Sequence, residues 1–248
     1  MSPPAPPLRR IAAQAVFELG TLVRNGEQLL VAVVLPLGVL LGLALTRSPS
    51  LGDGPRIDLA VPGVLALCVL SAAFTSPAIA TGFDRRYSVL RLLGVTPLGR
   101  SGLLWAKAAA VLAVEALQVV VICAAGLILG WRPSGTGLGF AVLFVLAGTW
   151  AFVALAMLLA GTLRAEGVLA VANLLWVLLL VLGGILLPRS ELPTGLGNLV
   201  AALPSAALAD GLRAALAQGR LTGIPLLVLV LWGTVASWLA GRTFRWSD

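Results

Sequence analysis

The side chains able to do chemistry in this chain are few, and most of them fall in one stretch. Gly82 to Lys107 reads G-F-D-R-R-Y-S-V-L-R-L-L-G-V-T-P-L-G-R-S-G-L-L-W-A-K, with Arg85, Arg86, Arg91, Arg100 and Lys107 against a single acid, Asp84. It is a short basic segment between two long apolar runs. Read as a helix over 83–93, it sets Asp84, Ser88 and Arg91 on one face and Phe83, Tyr87 and Leu90 on the adjacent one. Gly94 and Thr96–Pro97 end it. Residue pattern leaves two readings open. One is a loop whose arginines hold membrane orientation. The other is a docking helix for a soluble partner, with Phe83, Tyr87 and Leu90 as apolar anchors and Asp84, Arg85, Arg86 and Arg91 as the charged rim. Outside this stretch, Glu115 and Gln118 lie within one apolar run and Asn173 within another. A carboxylate in hydrocarbon costs roughly 2–4 kcal/mol, so Glu115 must be paired or carry its proton. These three residues fit either polar spots on a substrate path or hydrogen bonds between helices.

Other chemistry lacks its residues. The chain has no histidine, which removes the commonest general base and metal ligand. Cys68 and Cys123 sit inside apolar runs and read as small apolar side chains, with no metal site expected. No phosphate-cradling G-x-x-x-x-G-K-[ST] loop occurs, and the lone lysine, Lys107, stands in W-A-K-A-A. A membrane-embedded enzyme needs clustered ionisable groups at depth, and Glu115 stands without a histidine partner. A secondary transporter needs interrupted helices or paired charges at the midplane, and neither is evident.

The elements that must position these residues are set by composition. Of 248 residues 59% are hydrophobic and 11% charged, with mean hydropathy +1.03. A soluble domain carries roughly 25% charged residues. The apolar runs are continuous rather than alternating, so the fold class is an all-α polytopic membrane protein. The net charge of +7 fits positive-inside topology and anionic headgroups, not nucleic acid.

Residues 1–7 are Pro-rich and read as a disordered tail, with no cleavable signal peptide visible. Residues 8–25 read as an amphipathic interface helix. Its apolar side runs from Leu8 through Ile11, Val16 and Leu19 to Val23, and Arg10, Gln14, Glu18 and Thr21 lie opposite. Residues 26–248 form one six-span domain, with spans about 28–46, 59–82, 102–130, 138–162, 168–187 and 221–241. Before the last span, 188–220 reads as short re-entrant or extracytoplasmic helices. Ser205 is the expected cap of one, Leu208, Leu212 and Leu216 its apolar stripe, and Gly219 its end. Trp105, Trp131, Trp150 and Trp238 read as interfacial anchors. Six spans with cytoplasmic termini put eleven of the 17 Lys and Arg residues inside and six outside. That bias assigns the basic segment to the cytoplasm.

The segment G-F-D-R-R-Y-S-V-L-R-L-L-G-V-T-P-L resembles the coupling-helix region of ABC type-2 exporter permeases. The V-P-G-V-L-A-L run resembles that family's Pro-Gly at the second span (Pro62, Gly63). The L-P-S-A-A-L-A-D-G-L-R-A-A-L run resembles its Pro…Leu-Arg element before the last span (Pro204, Leu212, Arg213). Ser88 stands where many members have glycine. The resemblance implies a permease subunit that is not itself catalytic and exports a drug, lipid or similar amphiphile across the cell membrane. It implies two ATP-binding subunits that carry ATP and magnesium, a second permease copy or relative, contact with membrane lipids and no nucleic acid. Phe83 to Arg91 would receive the push of the ATPase. A haem-export membrane subunit and a non-ABC transporter are the alternatives.

Overall fold

A computed structural model of the chain describes residues 5–24, 26–46, 55–89, 92, 96–186, 189 and 194–244. The described residues contain helices and no strand. In chain order these are α1 (Pro7–Arg24), α2 (Gly26–Leu45), α3 (Arg56–Leu70), a π-helical turn (Ser71–Thr75), α4 (Ser76–Arg86), α5 (Gly99–Ile128), α6 (Leu138–Thr162), α7 (Ala165–Leu182), α8 (Thr194–Val200), α9 (Pro204–Gln218) and α10 (Gly223–Thr243). Among the described residues, five stretches are long and apolar enough to cross a membrane: Arg56–Arg86, Trp105–Ile128, Gly135–Thr162, Ala165–Leu182 and Gly223–Thr243. In α2 the corresponding apolar stretch, Leu30–Leu45, is shorter. The whole of α2 has 20 residues and is roughly 30 Å long at ~1.5 Å per residue.

The first of these five stretches is one rod, α3 to α4, and the bundle is built around it. Every residue from Ala60 to Leu70 is buried. Such a helix, apolar on all sides, is stable only with neighbours all round, and α2, α5, α6 and α9 pack against it. Pro77 lacks the N–H that would continue the four-residue register back to Ala73. The backbone just before it, Ser71–Thr75, runs as a single π-helical turn. The rod extends four residues beyond the expected end of the second span, to Arg86. The expected separate helix over 83–93 is therefore corrected: residues 83–86 are the last turn of α4, and the chain breaks at Tyr87–Ser88.

In α1 the side that meets the protein is mixed, with Arg10, Ile11, Gln14, Glu18 and Leu19 half-buried. Arg10 donates to the Pro97 carbonyl, and Gln14 donates to Glu18 at 3.0 Å. Leu8, Val16 and Phe17 are 81%, 70% and 68% exposed. A water-facing helix would bury those apolar groups, so this geometry suits the membrane interface. The helix before the last crossing is buried on all sides rather than amphipathic. Leu208, Leu212 and Leu216 are buried, but so are Ala206, Ala207, Ala209, Ala214 and Ala215. Leu203 holds its N-cap position with Pro204 in the first turn, and Ser205 makes no cap hydrogen bond. Gly219, at φ 66°, does end it. At Gly211 a Cβ would lie 2.3 Å from the Phe144 ring, so only glycine lets α9 settle onto α6. Trp131, expected at the interface, is buried.

Arg213 ties the Pro-Gly element of α3 to the Leu-Arg element of α9. It donates to the carbonyls of Gly184 at 2.6 Å and Ile185 at 2.8 Å, beyond the end of α7. Gly63 makes room, since a Cβ there would lie 2.4 Å from the Ile185 oxygen. Asp210 receives Arg189 at 3.0 Å and lies 3.9 Å from Arg213. Burial pushes the Asp210 carboxyl above its usual range, and the two arginines pull it back.

Both ends of the described chain lie at one end of the bundle. There α1 packs along the start of α5, and Phe244 sits against Gly161 near the end of α6. The α5–α6 turn and the C-terminus of α9 lie at the other end, joined by the Ser134 N–H donating to the Leu216 carbonyl at 2.8 Å.

Candidate functional site

At the end that carries α1, three elements meet on Lys107. Its side chain is 3% exposed, with Nζ 3.0 Å from Glu18 of α1 and 3.3 Å from Asp84 of α4. A buried ammonium needs such partners. Next to it Arg85, also buried, donates to the carbonyls of Ala160, at 2.7 Å, and Leu163. These carbonyls end α6 without an intrahelical donor, and a cation suits that terminus. Arg85 thus faces inward, while Asp84 is 32% exposed beside Lys107. Arg86 is half-exposed and pairs with Glu166 at the start of α7.

Tyr87 is 70% exposed and stacks on Phe83, with ring centroids 6.2 Å apart. Ser88 has φ 61°. It takes the left-handed conformation that glycine adopts without strain, two residues beyond the end of the rod. Val89 and Leu92 follow, exposed. Leu90 and Arg91 lie outside the described residues. Among the described residues from 86 to 92, Arg86, Tyr87, Ser88, Val89 and Leu92 are exposed.

A second feature opens midway along the helices. A cavity of about 490 Å³ lies between α2, the π-helical turn, α4, α5 and α7. Gln118 and Asn173, 55 positions apart in sequence, both line it. Pro36 has no N–H to give to the Ala32 carbonyl four residues earlier. Gln118 takes that freed acceptor, donating to it at 2.7 Å. Trp176 donates to Ser71 at 3.1 Å across the cavity rim. Glu115 is apart from this space. It is 1% exposed and accepts from Thr149 of α6 at 2.6 Å, so it joins α5 to α6. Among the described residues, no three Cys, Asp or Glu side chains are grouped to hold a metal ion.

The family model described as ABC-2 type transporter matches residues 15–217. The chain belongs to this family. No curated protein matches it. It is accordingly a transmembrane component of an ABC-type transporter, which works with an ATP-binding partner. The match takes in Glu18, the α3–α4 rod, Lys107, the cavity and Arg213. In this ABC-2 subunit the Pro62–Gly63 and Leu212–Arg213 elements, remote in sequence, share one contact through Ile185.

In the sequence Glu18 is one polar residue of an amphipathic helix and Lys107 one basic residue among five, and nothing in their spacing pairs them. Periodicity divides a helix into faces but does not say which face meets protein. The role of Pro36 was readable, because a proline inside a span frees a carbonyl and Gln118 is an amide donor in a neighbouring span. Thr75 carried no signal before the π-helical turn placed it on the cavity.

Proposed function

We propose that this subunit is the permease of an exporter, driven by a separate ATP-binding polypeptide that docks on Arg86, Tyr87, Val89 and Leu92. One observation supports this most directly. Exposed apolar side chains sit at the tip of the most deeply buried rod in the bundle. A push on Tyr87 and Leu92 is carried along α4, through the π-helical turn, into helices that touch nearly every other span. Packed interfaces respond to such a push by switching between discrete arrangements rather than bending smoothly. Phe83 backs Tyr87 by stacking, while Asp84 and Arg85 fix the rod to α5 and α6. In this reading the docking end is cytoplasmic, the spans number six, and two permeases and two ATP-binding subunits make the full transporter. The cargo is an amphiphile entering the cavity laterally, because α2 and α7 leave Val31, Leu35 and Leu174 exposed beside it.

The test uses the full complex in proteoliposomes, with ATP-dependent loss of a fluorescent amphiphile as readout. Tyr87→Glu combined with Leu92→Glu should abolish co-purification of the ATP-binding subunit or leave its hydrolysis unresponsive to cargo. Intact assembly with intact transport would count against the docking assignment. Arg85→Glu is unsuited to this purpose, since it would unfold the end of α6.

A further inference from the structure

The cavity is walled by apolar side chains such as Val31, Leu35, Ile79 and Val111, and among the described residues no charged side chain lines it. Its polar atoms are few and unevenly satisfied. Ser71 and Trp176 satisfy each other. Gln118 does not satisfy itself. Its Nε2 is committed to the Ala32 carbonyl, and its Oε1 is buried with no partner among the described residues. Turning the amide over would set two oxygens face to face, so the orientation is fixed by Ala32. The Thr75 hydroxyl, on the same cavity, is likewise buried and unpartnered. A buried acceptor left without a donor is costly, and a pocket built this way discriminates strongly in favour of a ligand that supplies one. The volume lies within the roughly 300–1,000 Å³ range of small-molecule sites.

We propose that this cavity binds an uncharged amphiphile whose head carries an N–H or O–H donor, such as a primary amide or an alcohol, with Gln118 Oε1 as the acceptor that selects it. A carboxylate head would meet that oxygen with like polarity. A quaternary ammonium would bring a charge with neither counter-ion nor donor. Thr75 adds a second polar contact, and Asn173 stands at the outer rim. This names the substrate class of the transport reading and rests on it for the cavity's part in transport. Binding itself does not depend on that reading.

Trp176 in the cavity wall reports occupancy. The complex with its ATP-binding partner, in nanodiscs, is titrated with dibrominated stearamide, the dibrominated methyl ester and the dibrominated free acid. Quenching by bromine is taken as the difference between the native chain and Trp176→Phe. The amide should half-saturate at about tenfold lower concentration than either of the others, the effect of one good hydrogen bond. In Gln118→Leu the preference of amide over ester should vanish, and Thr75→Val should weaken amide binding less. Equal saturation by amide and ester in the native complex overturns the proposal without any variant. Absence of Trp176-specific quenching by all three overturns it too. Selective amide binding that neither stimulates ATP hydrolysis nor leads to transport would leave the cavity assignment standing and remove the transport reading. Transport with no amide preference would do the reverse.

Discussion

Lys107 is where the interface helix, the central rod and α5 are joined, and its removal has a calculable consequence. Lys107→Met keeps the length of the side chain and deletes the charge. Local charge then goes from one cation with two carboxylates to two carboxylates alone. Removing one partner of a fully buried pair costs about 3–5 kcal/mol. Here the lysine is 3% exposed, but Glu18 and Asp84 are 19% and 32% exposed, so water screens part of the penalty. A cost of about 2–3 kcal/mol follows, concentrated on the docking of α1. Hydrogen exchange is the assay. Amides of residues 7–24 should exchange roughly 30- to 150-fold faster, with amides of α6 little changed. The triple variant Lys107→Met, Glu18→Gln, Asp84→Asn removes the repulsion as well as the attraction. It should return α1 to within about tenfold of the native rate, because neutral replacement of a buried ion pair is far milder than breaking it. Native-like exchange in the single variant, or equal exchange in single and triple variants, would refute the reasoning.

Other outcomes follow from individual contacts. Ser88→Gly should raise thermal stability by about 0.5–1 kcal/mol, because it relieves a left-handed conformation on an L-residue, while Ser88→Val should lower it; a melting curve reads both. Gly211→Ala should cost about 1–3 kcal/mol by overpacking against Phe144, and adding Phe144→Leu should recover most of the loss in the same measurement. Glu115→Gln should leave transport unchanged, since its amide still pairs with Thr149. Thr149→Val should lower the melting temperature, by about 1 kcal/mol of stability, without altering cargo preference.

How much of this was readable from residues alone differs by element. Hydropathy located α6 to the residue and the other crossings to within a few positions, because length and apolar content are local properties. The basic stretch was legible as special, but its shape was not. Ser88, two residues beyond the rod, takes a backbone conformation that periodicity does not encode, and a helix drawn through 83–93 puts Arg85 on the outside. The α9 pattern misled in a different way. A leucine every four residues reads as a stripe, while the alanines and Gly211 on its other sides are silent in hydropathy and decisive in packing. Gln118 and Asn173 are visible in the sequence, with Glu115, as polar residues inside apolar runs. Their convergence on one cavity depends on how α5 and α7 pack around the rod, which no local window contains.

The central claim is that an ATP-binding subunit docks on the exposed tip of the rod. It is tested most directly by a photo-crosslinking residue placed at Tyr87 in native membranes, with Ile224 at the start of α10, 78% exposed at the opposite end of the bundle, as control. Illumination at position 87 should yield an adduct with a polypeptide carrying a phosphate-binding loop, and position 224 should yield none. An adduct at 224 in place of 87, or none at 87 in membranes where the complex is assembled, would contradict it.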